Sequence, residues 1–254
     1  MTTALITGAS SGLGAEYSRQ LAAAGTDLVL VARDAAALDA LASTLQAGSG
    51  GGAVEVLVAD LLDAEDCARV EARLADAVRP VDLLINNAGF GLPLAFERNP
   101  IDEEVRHLRL HVEVSMRLAH AALPGMLERR RGRIVNVASV AAFIPRSTYS
   151  ACKQWLVSFS RWANGAYRAR GVSVTAVCPG YTHTGFHERL GLPPGQEGIP
   201  DWMWLQAPDV VRASLRDIER GRPVSIPSAR YKAIVGLVRV LPASVSARLG
   251  ERGR

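Results

Sequence analysis

"ALITGASSGLGAEYSRQLAAAG", residues 4–25, changes its period in the middle. Ala4, Leu5 and Ile6 form a continuous apolar run, as expected of a strand buried on both faces. From Ala15 the apolar residues recur at helical spacing until Gly25, a residue suited to closing a helix. Between them lies "TGASSGLG" (7–14), with Gly8, Gly12 and Gly14. Strand, Gly-rich turn and helix make the first half of a strand–helix–strand unit.

The alternation continues outward from there. Strands are expected at 27–32 ("DLVLVA"), 54–59 ("VEVLVA") and 82–86 ("DLLIN"), with helices between them. "GSGGG" (48–52) reads as a loop rather than a domain linker, because the same alternation resumes after it. A long helical region over about 101–130, with room for a break in its middle, precedes a strand at 133–138. A helix over about 148–169, a strand at 172–178 and a short last strand at 223–226 complete the order. This pattern predicts one α/β domain over 1–254, a doubly wound parallel sheet with helices on both faces.

Composition excludes several other classes. The chain has 254 residues, 48% hydrophobic and 21% charged, with a net charge of +4. "ERRRGR" (128–133) is the densest charge run and reads as a helix C-terminus, so no nucleic-acid partner is expected. Three cysteines without a CxxC argue against a disulfide framework or a metal site and fit a reducing, cytoplasmic compartment. The N-terminus enters a strand at once, without a charged segment or cleavage site, so no signal peptide is expected. No run of 18 apolar residues is present.

Several strand ends carry polar or Gly-rich turns. In 7–14 the spacing is G-x-x-x-G-x-G, and the helix that follows offers free N–H groups to a pyrophosphate; a turn that holds no ligand is the plain alternative. Strand two ends in "VARD" (31–34). Arg33 there could hold the 2′-phosphate of NADP, or be a surface Arg at a helix start. Asp60 could face an adenine or cap the next helix. "NNAG" (86–89), "NVAS" (136–139) and "CPGYTHT" (178–184) aim at the same sheet edge, and their convergence is stronger than any one motif.

"TYSACK" (148–153) places Tyr149 and Lys153 one helical turn apart. Only two of the 29 basic residues are lysines, Lys153 and Lys232. A free phenol titrates near ~10, and a nearby ammonium lowers that value by favouring the phenolate. Lys suits this better than Arg, as a compact charge that can also bond a ribose.

With Ser139, the Gly turn, "NNAG", Tyr-x-x-x-Lys and Pro179-Gly180 all on the page, the chain resembles the short-chain dehydrogenase/reductase family over about residues 3–190. The resemblance implies a single-domain Rossmann fold with a mostly seven-stranded parallel sheet. It implies hydride transfer between NAD(P) and a carbonyl or alcohol substrate, in a homodimer or homotetramer. Tyr149 would be the acid/base, Ser139 would bond the substrate oxygen, and Lys153 would bind the nicotinamide ribose and lower the Tyr149 pKa. Cofactor contacts would come from Gly8, Ser10, Ser11, Gly12, Leu13, Gly14, Arg33, Asp60, Leu61, Asn87, Ala88, Gly89, Pro179 and Gly180. Thr182 and Thr184 would hold the carboxamide, and Tyr181 would line the nicotinamide pocket. NADP(H) is favoured by Arg33, with NAD(H) as the other option.

Two departures from the family stand out. Ser139 and Tyr149 are ten residues apart, which shortens the loop beside the substrate. "LRLHVEV" (108–114) puts His111 where the family has an Asn that holds a relay water. His111 can also accept at one ring nitrogen and donate at the other. Unperturbed, it would titrate near ~6.5 and give activity an acidic limb. The alternative is a slow dinucleotide-binding scaffold or sensor. A phosphoryl-transfer NTPase is remote, since the turn lacks G-K-[ST].

Beyond 190 the resemblance is loose. Phe186, Trp202, Met203 and Trp204 lie in a Pro- and Gly-rich stretch (about 185–206) that reads as a lid over a bulky apolar substrate, or as a loop packed on the core. The tail (about 228–254) mixes apolar residues with Lys232, Arg239, Arg248, Arg252 and Arg254. Packing on its own domain or on a neighbouring subunit is expected, ahead of contact with a membrane surface.

Overall fold

The computed structural model describes residues 2–48, 52–186 and 199–240. Seven strands form one sheet: β1 (Thr3–Thr7), β2 (Asp27–Ala32), β3 (Val54–Val58), β4 (Leu83–Asn86), β5 (Gly132–Val137), β6 (Val172–Val177) and β9 (Val224–Ser225). Their order is β3-β2-β1-β4-β5-β6-β9, and every pairing is parallel. The order reverses between β1 and β4, which opens a crevice at the carboxyl ends of those strands.

The helices are α1 (Gly12–Ala23), α2 (Ala35–Gly48), α3 (Ala64–Ala75), α4 (Ile101–Leu108), α5 (Ser115–Glu128), α6 (Thr148–Tyr167), α7 (Ala207–Glu219) and α8 (Ala229–Val240). One core cluster packs Tyr17 and Leu21 of α1 and Leu38, Leu41 and Leu45 of α2 on one face of the sheet. A second packs Val70 and Leu74 of α3, Leu118 and Met126 of α5, and Ala163 of α6 on the other. Parallel strands covered on both faces must be apolar throughout, which is why β1, β2 and β4 read as unbroken runs. Edge strand β3 is less buried, and its Glu55 is paired with Arg73 at 3.0 Å.

The long helical region is indeed interrupted: Arg109–Val114 form a π-helical turn between α4 and α5. Such turns widen the helix and re-aim side chains, and they concentrate at functional sites. Here the turn carries His111 inward, at 1% exposure. A second sheet of two short strands, β7 (Thr182–His183) and β8 (Leu205–Gln206), is an addition to the expected order. α8 is the described part of the tail and packs on its own domain through Tyr231 and Val235. The Tyr231 hydroxyl donates to the Met203 carbonyl at 2.9 Å and accepts the Tyr181 N–H at 3.1 Å. Tail residues 241–254 lie outside the described residues. Among the described residues no helix is long and apolar enough to cross a membrane.

Candidate active site

The Gly turn fixes the floor of the crevice. Gly14 is obligatory, since a Cβ there would come within 2.2 Å of the Gly8 carbonyl and 2.6 Å of Asn87 Nδ2. Asn87 ties "NNAG" to this turn: its Nδ2 donates to the Thr7 carbonyl at 2.9 Å, and its N–H donates to Thr7 Oγ1. The Ala88 N–H shares that hydroxyl at 3.0 Å. Ser11 sits at the exposed N-cap of α1 without a side-chain capping bond. The first-turn N–H groups of α1 therefore face the crevice with no side-chain acceptor from Ser11, as a phosphate-binding helix start requires. Thr184 closes the other side, so that a Cβ on Gly12 would meet it at 3.4 Å. Ser10 and Leu13 lie in the same turn, Leu13 partly buried against the core. This cradle fits a dinucleotide.

Arg33 stands at the end of β2, its side chain 70% exposed, with Nη1 3.9 Å from Asp60 Oδ2. An exposed pair at that distance is weak and leaves the guanidinium available. Asp34 accepts from the Ala37 N–H at 3.0 Å and so tethers the first turn of α2. Asp60 is not the cap of α3. That cap is Asp63, which accepts from the Glu65 and Asp66 N–H groups at 3.0 Å. Leu61 is buried in the core, so only its main chain is free to meet a ligand at this edge.

Ser139, at the end of β5, accepts from the Ala141 N–H at 3.1 Å and starts a 3-10 turn over Val140–Phe143. This turn takes up part of the short loop. Ser139 is also hydrogen-bonded to Tyr149. Lys153 is 4% exposed and donates from Nζ to the Val137 carbonyl at 2.7 Å. The same Nζ lies 5.4 Å from the centre of the Tyr149 ring. Ser139, Tyr149 and Lys153 are thus brought together beside the crevice. Pro179 accepts the Val140 N–H at 2.9 Å, which joins the β5 and β6 loops. Thr182 is buried and donates to the Gly180 carbonyl at 2.9 Å.

The electrostatics differ from the expected direction. The Tyr149 phenol is pushed up to about 12, because burial outweighs the hydrogen bond from Ser139. Burial also pulls Lys153 down to about 8. The contribution that lowers the phenol comes from Ser139 rather than from the Lys153 charge, and burial outweighs it. His111 is held well below its ordinary value, first by burial and then by the charge on Lys153 and by His107. That direction works against the expected acidic limb from His111.

His107, which sequence reasoning missed, packs against this group. Its ring lies 4.4 Å from that of His111 and 5.9 Å from that of Tyr149, centre to centre. The available signal was a pair of histidines at i and i+4. Burial pulls His107 down to about 4, helped by Lys153 and opposed by Glu104.

Both rings are thus neutral in the fold and protonate in the unfolded chain below ~6.5. The contribution of His107 to stability is complete above that pH and is lost as pH falls toward about 4. For His107 the loss is at most about 3 kcal/mol. The urea midpoint should fall between pH 6.5 and 4, and His107→Phe should flatten part of that fall. Equal pH dependence in both proteins would contradict neutral burial.

Phe186 lies 6.0 Å from Tyr149, ring centre to ring centre. Trp204 stacks on His183 at 4.6 Å and lies 5.8 Å from Tyr181. Trp202 is 58% exposed, while Met203 packs beside Leu205 and Tyr231. Residues 187–198 lie outside the described residues. Among the described residues no cluster of His, Cys, Asp and Glu could hold a metal.

Comparison with known proteins matches this architecture. Residues 2–193 match the family model for short chain dehydrogenase. A short-chain dehydrogenase from Sphingobium yanoikuyae, solved in complex with NADPH, superposes with a TM-score of 0.85 at 37% identity, over 95% of this chain and 97% of that one. The bulky-bulky ketone specific alcohol dehydrogenase from Comamonas testosteroni superposes at 0.80 and 32% identity, over 95% of each chain. The mouse dehydrogenase/reductase SDR family member 7B is 34% identical over 185 residues, which is 71% of this chain but only 57% of that protein. With the sheet order, the Gly turn and these matches in agreement, the chain belongs to the short-chain dehydrogenase/reductase family.

Proposed function

We propose that the protein is an NADPH-preferring reductase of a carbonyl group, able to run the reverse alcohol oxidation, with Ser139, Tyr149 and Lys153 as its working residues. The observation that carries this reading is the meeting of those three side chains beside a cradle built for a dinucleotide. The bound nicotinamide would supply the hydride. Ser139 and the Tyr149 hydroxyl would hold the substrate oxygen, and Tyr149 would deliver the proton. The Lys153 ammonium would bond the ribose and offset the negative charge left on the phenolate. His111 would take over the water-holding role of the family's Asn, since its neutral ring keeps one donor and one acceptor. That removes the main ground for the scaffold reading.

The exposed Arg33 supports NADPH over NADH, and the complex of the Sphingobium protein with NADPH agrees. Arg33→Ala should weaken NADPH by about 1.5–3 kcal/mol, the range for hydrogen bonds to charged groups, and leave NADH nearly unchanged. Fluorescence titration of both cofactors checks this, and equal losses would sink the assignment. Phe186 against Tyr149 and Trp204 against Tyr181 support a bulky apolar carbonyl substrate, as does the ketone specificity named for the Comamonas enzyme. Trp204→Ala should then raise KM for large ketones more than for small ones. A uniform change across substrate sizes would count against that wall. Assembly as a homodimer or homotetramer belongs to this reading and is open to sedimentation measurements.

A further inference from the structure

Three buried polar atoms on one side of α4 and its π turn have no protein partner: Glu104 Oε2, His107 Nε2 and His111 Nδ1. Their residues stand at i, i+3 and i+7, which is a single helical stripe. All three are buried, at 7%, 0% and 1% exposure. The stripe begins at the reacting group, where the His111 ring meets the Tyr149 ring edge to face at 5.8 Å. It continues through His107, 4.4 Å from His111. It ends at Glu104, whose Oε1 accepts from Asn99 Nδ2 at 2.8 Å. Asn99 is half-buried, and Arg98 and Pro100 on either side of it are exposed.

The proton positions follow from the partners. The Phe90 carbonyl can only accept, so the His111 Nε2 at 2.7 Å carries the hydrogen and Nδ1 is left as an acceptor. His107 Nδ1 faces Cys152 Sγ at 3.8 Å, which leaves Nε2 unmatched. The charged or titratable groups facing His107 are Glu104, Lys153, Cys152, His111 and Tyr149. Gly89 makes room for the His111 ring, since a Cβ there would lie 2.3 Å from Cε1. Buried polar atoms left dry carry a desolvation penalty, and grouped ones are ordinarily satisfied by internal water with two to four polar partners.

We propose that Glu104, His107 and His111 anchor an internal chain of waters that carries protons between Tyr149 and the Asn99 end of α4. His107 and Glu104 are then positioning residues of a proton relay. The proposal rests on the reductase reading. During reduction a bound reduced nicotinamide would supply hydride to the carbonyl carbon, and Tyr149 would give its proton to the carbonyl oxygen. The phenolate then takes a proton from the first water, each water is refilled by the next, and solvent supplies the last. One hydride and one proton are added in total, and the cofactor leaves oxidised.

Crystallography of the unliganded protein at high resolution tests the water chain without any turnover. Ordered waters bonded to Glu104 Oε2, His107 Nε2 and His111 Nδ1 are expected, and direct dry pairing of those atoms would overturn the proposal. His107→Phe keeps a ring and removes both nitrogens. It should lower kcat about tenfold, less than the ~10² of losing the acid itself. KM for NADPH and carbonyl should hold, and the solvent deuterium isotope effect on kcat should rise. His107→Gln should restore most of the rate. If His107→Phe does not fold, Glu104→Leu against Glu104→Gln makes the same comparison. An isotope effect that stays at the wild-type value in the Phe or Leu variant overturns the relay, whatever happens to kcat. Absence of any wild-type turnover would instead sink the reductase reading.

Discussion

Tyr149→Phe lowers turnover at least ~10²-fold, the scale of a lost general acid, and leaves NADPH affinity nearly unchanged. The substitution removes one oxygen and keeps the ring, so the packing of Tyr149 against His111 and Phe186 persists. What disappears is the proton donor and the hydrogen bond to Ser139. A phenol held at about 12 is a weak acid but stays fully protonated at neutral pH, as a donor must. Single-turnover kinetics with a fixed carbonyl separate the two effects. Retained activity would mean that another group delivers the proton.

Lys153→Met is expected to abolish most turnover and yet not lower stability at pH 7. Lys153 is charged below about 8 in the fold and below ~10.5 in the unfolded chain. A depressed value means that the unfolded chain binds the extra proton. The stability that Lys153 contributes is therefore present above ~10.5 and lost as pH falls through about 8. At neutral pH the dry ammonium costs at most about 3 kcal/mol. Met removes that cost but leaves the Val137 carbonyl without its donor, a loss of about 1–3 kcal/mol. The two nearly cancel. Wild-type stability should rise between pH 8 and 10.5, and the variant should lack that rise. A variant that unfolds at neutral pH would show that the Lys153–Val137 bond is worth more than its desolvation.

Most of the sheet was legible because parallel strands covered on both faces leave unbroken apolar runs. "DLVLVA" and "DLLIN" could be placed within a residue or so. β7 and β8 were not, since two-residue strands carry no periodicity. The positions of the Gly turn and Ser139 were legible at predicted strand ends, and those of Tyr149 and Lys153 at one turn's spacing on a predicted helix. Asp60 read as a possible cap, but its side chain accepts the Leu62 N–H before the helix begins, and Asp63, three residues on, is the cap. The upward push on Tyr149 was not legible, because a neighbouring charge is visible in sequence whereas desolvation depends on the whole fold. Trp202 read as part of a wall from its size alone, and it lies in a 3-10 turn over Asp201–Met203. His107 went unnoticed because its neighbour Tyr149 reaches it from a different helix.

The central claim is tested most directly by mixing the purified protein with NADPH and a panel of bulky ketones, small aldehydes and 3-oxoacyl thioesters. The near-ultraviolet absorbance of reduced nicotinamide and the alcohol product are then followed together. The account predicts loss of that absorbance matched one-to-one by alcohol, fastest with bulky ketones, slower with NADH, and nearly absent in Tyr149→Phe. Tight NADPH binding with no carbonyl reduced and no alcohol oxidised in the reverse assay would contradict it.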